Sequence, residues 1–358
     1  MLKEKLKENK ETLIKLLPLI SFITPFLILY LLQDVTFRYS FEATWKGRAF
    51  YIFFIWFAVL EMIVSWEKLQ PKAFKRPKYV RTIALILALS LPTIYVVASN
   101  FYGLNEAIYE WSERNIEAKA GEEWRYRFMP LSIEYLAFAA FFFLIVFLQY
   151  GAYGFRRMSL APSFLATMGI IYMIDNLYPY GQFTPFQIPA AATAILAETV
   201  LNFMGYRTSL SYSISPEGGW VPVLKVTNPQ NPFHYTQLGV AWPCSGVESL
   251  IIYTLFMIIF LKNFEVSTKR KIIYFVAGAT VTYLINIARV VSLSIIAIKF
   301  GSRSQKFENF HSFYGPLYSI IWITLYPILI MVGGDIWRGV KSLMKTAKTR
   351  LFSRIAKS

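Results

Sequence analysis

Long apolar runs separated by short polar and basic loops set the pattern of this chain. Several runs reach about 17 residues or more with few charges, the length that an α-helix needs to cross the hydrocarbon core of a bilayer. The pattern predicts eight crossing helices, at about 13–33, 49–66, 82–102, 131–150, 163–178, 247–261, 271–299 and 313–332. We therefore expect an all-α polytopic membrane protein.

One further apolar segment, Ile188–Met204, contains an acidic residue and follows a proline-rich stretch. It is open between another crossing and a helix lying at the membrane interface. Cytoplasmic loops are enriched in Lys and Arg. The basic loop 67–81 and the arginine pair 156–157 join the basic tail 336–358 on one side only if this segment does not cross. We therefore predict that both termini are cytoplasmic and that Ile188–Met204 is an outer interfacial or re-entrant helix.

The stretch between this segment and the next crossing has a period of two residues. Residues 208–214 alternate polar and apolar side chains, as half-exposed strands do. Turn residues separate them from two further strand-like runs, Trp220–Val226 and Tyr235–Trp242. We predict a small extracytoplasmic β segment over residues 206–242, directly before the only cysteine of the chain.

Composition and charge agree with a membrane protein and limit its chemistry. Hydrophobic residues make up 56% of the 358 residues, more than a soluble chain of this length needs. The net charge of +16 is best explained by loops that orient the spans, so nucleic acid is not an expected partner. One cysteine excludes an intrachain disulfide, and two histidines among scattered acids form no metal motif. Nucleotide-binding motifs are absent, so we expect no cofactor; the first apolar run lacks a cleavage site, so we expect a retained span.

The single cysteine, Cys244, lies in the stretch Pro243–Ser249, where the polar segment meets a crossing helix. A helix N-terminus stabilises a thiolate. Free backbone N–H groups, here those of Ser245 and Gly246, can also hold an oxyanion during acyl transfer. Cys244 is therefore a candidate nucleophile. The simpler interpretation of a lone membrane cysteine is a small buried apolar residue.

Two further polar side chains are predicted near the same outer membrane level as Cys244. Arg289 lies in the outer half of a long apolar span, where inserting an arginine costs roughly 2.5–3.5 kcal/mol, so it usually pairs or lines a polar cavity. His311 stands where an outer loop meets the last span, and a Cys–His pair is a common way of activating a nucleophile. Simpler interpretations stay open: Arg289 snorkels or pairs with Glu61 or Asp175, and His311 makes interfacial hydrogen bonds.

Four places in the chain together resemble the exosortase/archaeosortase family of membrane cysteine transpeptidases. They are Ile188-Pro189 opening an outer helix that ends at Gly205, the β-like segment leading into Cys244-Ser245-Gly246 and Glu248-Ser249, the stretch Asn286–Val290, and His311. The resemblance covers about residues 160–335. It implies that Cys244 is the nucleophile, that Arg289 stabilises the substrate carbonyl or oxyanion, and that His311 is the acid/base. Ser245, Gly246 and Asn286 would support them.

The resemblance also implies a substrate and a location. The family acts on exported proteins that end in a short recognition motif, a hydrophobic helix and a basic cluster, and it cuts near the motif on the outer face of the cell membrane. The new C-terminus would pass through a thioester to a membrane lipid or another acceptor. One departure is that the segment after Tyr206 is long for the family.

On this basis we divide the chain into three parts. These are an N-terminal membrane bundle (1–160), an exosortase/archaeosortase-like catalytic membrane region (161–335) and a basic cytoplasmic tail (336–358). Two other functions stay open, a polytopic transporter that uses Arg289 and the membrane acids as a pathway, and a membrane acyl or lipid transferase. The lack of internal repeats argues against the transporter, since many transporters contain them.

Overall fold

The computed structural model describes residues 2–31, 45–72, 79–116, 129–178, 184–214 and 220–333, and the predicted tail 336–358 lies outside them. Most of the described residues are helical. The helices are α1 (Leu2–Ile20), α2 (Ile23–Leu31), α3 (Trp45–Ser65), α4 (Tyr79–Phe101), α5 (Leu104–Asn115), α6 (Met129–Arg157), α7 (Leu160–Leu177), α8 (Thr184–Phe203), α9 (Val247–Asn263), α10 (Thr268–Phe300) and α11 (Gln305–Gly333).

Four of the described helices are long and apolar enough to cross a membrane: Val80–Phe101, Met129–Arg157, Thr268–Phe300 and Gln305–Gly333. The pair α1 and α2 makes a fifth crossing if its 44° bend lies within one span. Shorter apolar helices are Phe50–Ser65, Leu160–Ile174 and Ile188–Phe203. The prediction of a multi-pass helical membrane protein is confirmed. Length and composition identify four or five crossing helices among the described residues, so the eight predicted crossings are not confirmed.

The described residues of the first predicted span, 13–33, belong to two helices, α1 and α2, rather than to one. Pro18 has no N–H, so it cannot bond to the carbonyl of Ile14 one turn earlier. That carbonyl accepts a hydrogen bond from Gln149 Nε2 at 2.5 Å instead. The proline therefore ties α1 to α6, and the chain bends a few residues later, before α2 begins.

The largest core is aromatic and lies among α2, α3, α6 and α7. Phe22 meets Phe138 edge to face with ring centroids 5.4 Å apart, and Phe54 meets Phe142 in the same way at 5.2 Å. Such pairs add about 0.5–1.5 kcal/mol beyond the area that they bury. Aromatic packing of this kind holds a bundle together where lipid weakens the hydrophobic drive between helices.

The carboxylate of Glu61 caps the N-terminus of α7. Its carboxylate accepts hydrogen bonds from the backbone N–H groups of Leu160 at 2.9 Å and Ala161 at 3.0 Å. These groups have no partner within α7, because they belong to its first turn. The sequence left Glu61 open as a partner of Arg289, but the structure uses its carboxylate as a helix cap.

A break interrupts α6 at Gly151, whose φ of 73° and ψ of −166° are readily adopted only by glycine. The break frees carbonyls that helical N–H groups would otherwise meet. Arg81 donates to Leu148 O from Nε at 2.6 Å and to the preceding carbonyl from Nη2 at 2.8 Å. The backbone N–H of Lys72 donates to Gln149 O at 2.7 Å. The start of α4 and the loop after α3 therefore cap the first part of α6.

The predicted β segment is an antiparallel sheet in the order β1 (Arg207–Ile214), β2 (Trp220–Asn228), β3 (Asn231–Gly239). Its inner face packs Leu224 and Val226 against α8 and α10. The third strand begins and ends earlier than the predicted Tyr235–Trp242. The reason is a tight turn in which Asn228 Oδ1 accepts the N–H of Gln230 at 2.9 Å, so pairing resumes at once. The sheet leads the chain back over α10 to Cys244.

Candidate active site

Cys244 ends a short 3₁₀ turn, Trp242–Cys244, between β3 and α9. Its backbone N–H donates to Ala241 O at 2.9 Å, and its thiol is free and half-buried. Ser245 is fully buried and donates to Trp242 O twice, from N at 2.9 Å and from Oγ at 2.5 Å. The turn is therefore fixed by its own hydrogen bonds and leaves the thiol partly accessible.

Gly246 follows the cysteine turn and caps the N-terminus of α9. Its φ of 86° lies in the left-handed region, which a side chain disfavours. A Cβ at this position would lie 2.8 Å from Asn286 Cγ and 2.9 Å from Asn286 Nδ2. Glycine is thus needed for two separate reasons, the backbone conformation and the close approach of α10.

Asn286 of α10 bonds directly to the backbone of the candidate nucleophile. Its Nδ2 donates to Cys244 O at 2.9 Å, and its side chain is fully buried. Its Oδ1 has no hydrogen-bond partner among the described residues. Thr193 of α8 donates to Ser245 O at 3.1 Å and lies 3.0 Å from the hydroxyl of Tyr283 on α10. Side chains of α8 and α10 therefore both bond to the backbone of the cysteine turn.

Arg289 lies one helical turn after Asn286, on the same side of α10. Its Nη2 donates to His311 O at 3.2 Å, so the arginine contacts the segment that carries the candidate histidine. A Cβ on Gly315 would lie 2.8 Å from Arg289 Nε and 2.9 Å from Phe310 O. The bare backbone of Gly315 therefore makes room for the guanidinium.

His311 lies in a π-helical turn, Phe310–Tyr314, inside α11. The turn is closed by the N–H of Gly315, which donates to Phe310 O five residues earlier. The half-buried imidazole stacks on Phe307 with centroids 6.0 Å apart and an interplanar angle of 10°. Single π turns inside α-helices are frequent at functional sites.

A small cavity lies beside Arg289, between α3, α9, α10 and α11. Its volume is about 30 Å³, enough for ordered water. Its polar lining comes from Glu248, Ser249, Arg289 and Ser319, and the rest of its wall is mainly apolar. Glu248 is buried, and its Oε1 accepts a hydrogen bond from Tyr172 at 3.4 Å. A carboxyl and a guanidinium therefore line the same small space.

The predicted site residues thus gather around one stretch of α10. Asn286 holds the Cys244 turn, and Arg289 holds the His311 turn. The other histidine, His234, lies exposed on β3. In the part of the chain that the structure describes, no group of three or more His, Cys, Asp or Glu residues is arranged to hold a metal ion.

Three contributors were not predicted from the sequence, namely Thr193, Tyr283 and Gly315. Each of them contacts a residue that is distant from it in the sequence, and none belongs to a motif. The only signal for Gly315 is its position four residues after His311, where the π turn closes.

The sequence comparisons identify the family to which the chain is similar. A family model described as transmembrane exosortase matches residues 44–328, which include all the candidate site residues. The match begins well before residue 160, so the extent inferred from the sequence was too short. No curated protein and no solved structure matches the chain.

Proposed function

The chain belongs to the transmembrane exosortase family and is a membrane-embedded sorting enzyme, and we propose that it works as a cysteine transpeptidase with Cys244 as nucleophile. The observation that carries the proposal is that α10 binds the Cys244 turn through Asn286 and the His311 turn through Arg289. The backbone segments that carry the thiol and the imidazole are thereby attached to the stretch of α10 that carries the guanidinium. The family match does not favour the transporter or the lipid transferase.

In the proposed reaction the Cys244 thiolate attacks the carbonyl carbon of the scissile peptide bond. Arg289 stabilises the negative charge that develops on the carbonyl oxygen, as oxyanion donors do. His311 gives a proton to the departing amine, and a thioester joins the new C-terminus of the substrate to Cys244. An acceptor amine or hydroxyl then attacks the thioester, passes its proton to His311, and frees the Cys244 thiolate, which restores the starting state.

The proposed substrates are exported proteins that end in a short motif, a hydrophobic helix and a basic cluster, with a membrane lipid as one acceptor. We place the site outside, with eight crossings, both termini in the cytoplasm and α8 as an outer interfacial helix. The supporting observation is the polarity of α9, which starts beside Cys244 and ends beside Lys262. Basic residues favour the cytoplasmic side, so the opposite end of α9 suits an outer thiol.

The reaction is tested with a reporter protein that carries such a C-terminal signal, taken from an exported protein of the same genome. Processing is followed by mass in reconstituted membranes. Cys244→Ala should abolish processing, and Arg289→Lys and His311→Gln should slow it by about 100-fold or more. His234→Gln is the matched control, because this histidine is exposed on β3, and it should process at the wild-type rate. Unchanged processing by Cys244→Ala would refute the proposal.

Location and chemistry have separate tests. A membrane-impermeant maleimide applied to intact cells should label Cys244, with Cys244→Ala as the blank, since the chain has no other thiol. Labelling only in inverted vesicles would reverse the topology. Hydroxylamine should release the reporter as a hydroxamate if a thioester forms, and failure to trap it would argue against the covalent step.

A further inference from the structure

Two cationic side chains of the described residues approach the backbone of Gly151 at the break in α6. The break at Gly151 places no side chain there. Apart from the surrounding backbone, the nearest atoms to the position of a Cβ on Gly151 are Arg81 Nη2 at 3.4 Å and Lys72 Nζ at 3.6 Å. Two positive charges therefore lie beside the bare backbone of Gly151.

Among the residues that the structure describes, no carboxylate balances these two charges. Neither Arg81 nor Lys72 forms an ion pair within the described residues. Arg81 is partly compensated, because it donates to two carbonyls at the break in α6. The Lys72 side chain is exposed, and none of the three donors of its ammonium bonds to a described residue. Two like charges held together in this way favour an anion between them.

We expect the Gly151 break to lie at the level of the lipid head groups. Arg81 stands at the start of α4, where the apolar span Val80–Phe101 begins. Nearby, the Lys15 ammonium donates to Trp66 O at 3.3 Å and lies 5.0 Å from the centre of the Trp66 ring. Tryptophan and lysine are typical anchors at this boundary. At this level the bilayer itself supplies an anion, namely the phosphate group of its lipids.

We propose that Lys72 and Arg81 bind the phosphate group of an anionic membrane lipid at the Gly151 break. Basic pockets between membrane helices bind such head groups, and a guanidinium suits phosphate oxygens. The lipid would join the start of α4, the loop after α3 and α6 at a point where the helix itself is interrupted. This site is independent of the proposed reaction, which takes place around α10.

The test measures thermal unfolding of the purified full chain in neutral detergent during titration with short-chain phosphatidylglycerol. Lys72→Gln is the informative variant, because Arg81 also caps α6 and its loss would disturb folding. The matched control is Lys68→Gln, an exposed lysine of the same loop that does not approach Gly151. Short-chain phosphatidylcholine and inorganic phosphate serve as the neutral and the free-anion probes.

We expect phosphatidylglycerol to raise the unfolding temperature of the wild type and of Lys68→Gln at the same concentrations. Lys72→Gln should need about five times more lipid, since one basic side chain near an anionic surface contributes about 1 kcal/mol. Equal responses of the two variants, or equal stabilisation by phosphatidylcholine, would overturn the site. Equal stabilisation by inorganic phosphate would overturn the lipid as the source of the phosphate group.

Discussion

The contact between Gly246 and Asn286 offers a sharp test of how the cysteine turn is positioned. Gly246→Ala adds a methyl group at a residue with φ of 86°, and this conformation costs an alanine about 1–2 kcal/mol. The new Cβ would also meet three Asn286 atoms at 2.8–2.9 Å, and such overpacking costs about 1–3 kcal/mol more. We therefore expect Gly246→Ala to destabilise the protein by about 2–5 kcal/mol in total.

Two further variants separate these causes. Gly205→Ala is the control for the backbone cost alone, because Gly205 has φ of 89° and nothing lies within 4 Å of its Cβ position. It should cost only about 1–2 kcal/mol. Asn286→Ala loses the bond to Cys244 O, but in a Gly246→Ala background it also removes two of the three close contacts, those with Asn286 Cγ and Nδ2, and leaves the one with Cβ. The double variant should therefore be more stable than the sum of the single variants by about 1–3 kcal/mol.

Stability is measured by reversible unfolding in mixed micelles, and function by processing of the reporter. Gly246→Ala should lower the processing rate by about 100-fold, because a displacement of about 1 Å at a reacting group is that costly. Gly205→Ala should keep the wild-type rate, since its position faces open space. If Gly246→Ala is no less stable than Gly205→Ala, or if the stability changes of Gly246→Ala and Asn286→Ala add up in the double variant, Asn286 does not crowd position 246.

Three other outcomes follow from the contacts of the site and the bundle. Gly315→Ala should displace the Arg289 side chain and slow reporter processing at least tenfold, while maleimide still labels Cys244 at the wild-type rate; slower labelling would show a general disturbance instead. Glu248→Gln removes the negative charge that shares a cavity with Arg289, so processing should slow by about tenfold or more at unchanged unfolding temperature, and an unchanged rate would remove Glu248 from the site. Glu61→Gln weakens the cap of α7 and should destabilise the protein by about 0.5–2 kcal/mol with little change in processing; a loss of processing in correctly folded protein would contradict a purely structural role.

The sequence was sufficient for features that repeat along the chain. A long apolar run has one stable solution in a bilayer, so it predicts a helix such as α6 or α10. Alternation over residues 208–214 likewise predicted β1, although only Leu210 of its apolar side chains packs against a core, and Tyr212 and Ile214 are exposed. Proximity of Cys244, Arg289 and His311 followed from placing all three near one membrane face, and it needed no knowledge of packing.

What the sequence did not reveal depends on contacts between distant segments. Pro18 was visible, but the partner that takes over the freed Ile14 carbonyl, Gln149, is 135 residues away. Nothing near Gly315 indicates that its missing side chain makes room for Arg289. Glycine is used for turns, caps and close contacts alike, so its role is decided by the neighbour and not by the local pattern.

The π turn at Phe310–Tyr314 sets the rotational register of the last helix. Relative to a regular α-helix it contains one extra residue, and each residue turns the helix by about 100° and advances it by about 1.5 Å. Beyond the turn, Ile323 and Ile330 pack into the core, whereas His311 lies at the beginning of the turn itself. Deleting a single residue here would restore a regular helix and rotate one half against the other. The chain could then keep its packed face or its histidine in place, but not both, so an insertion of one residue fits a single helix to two environments.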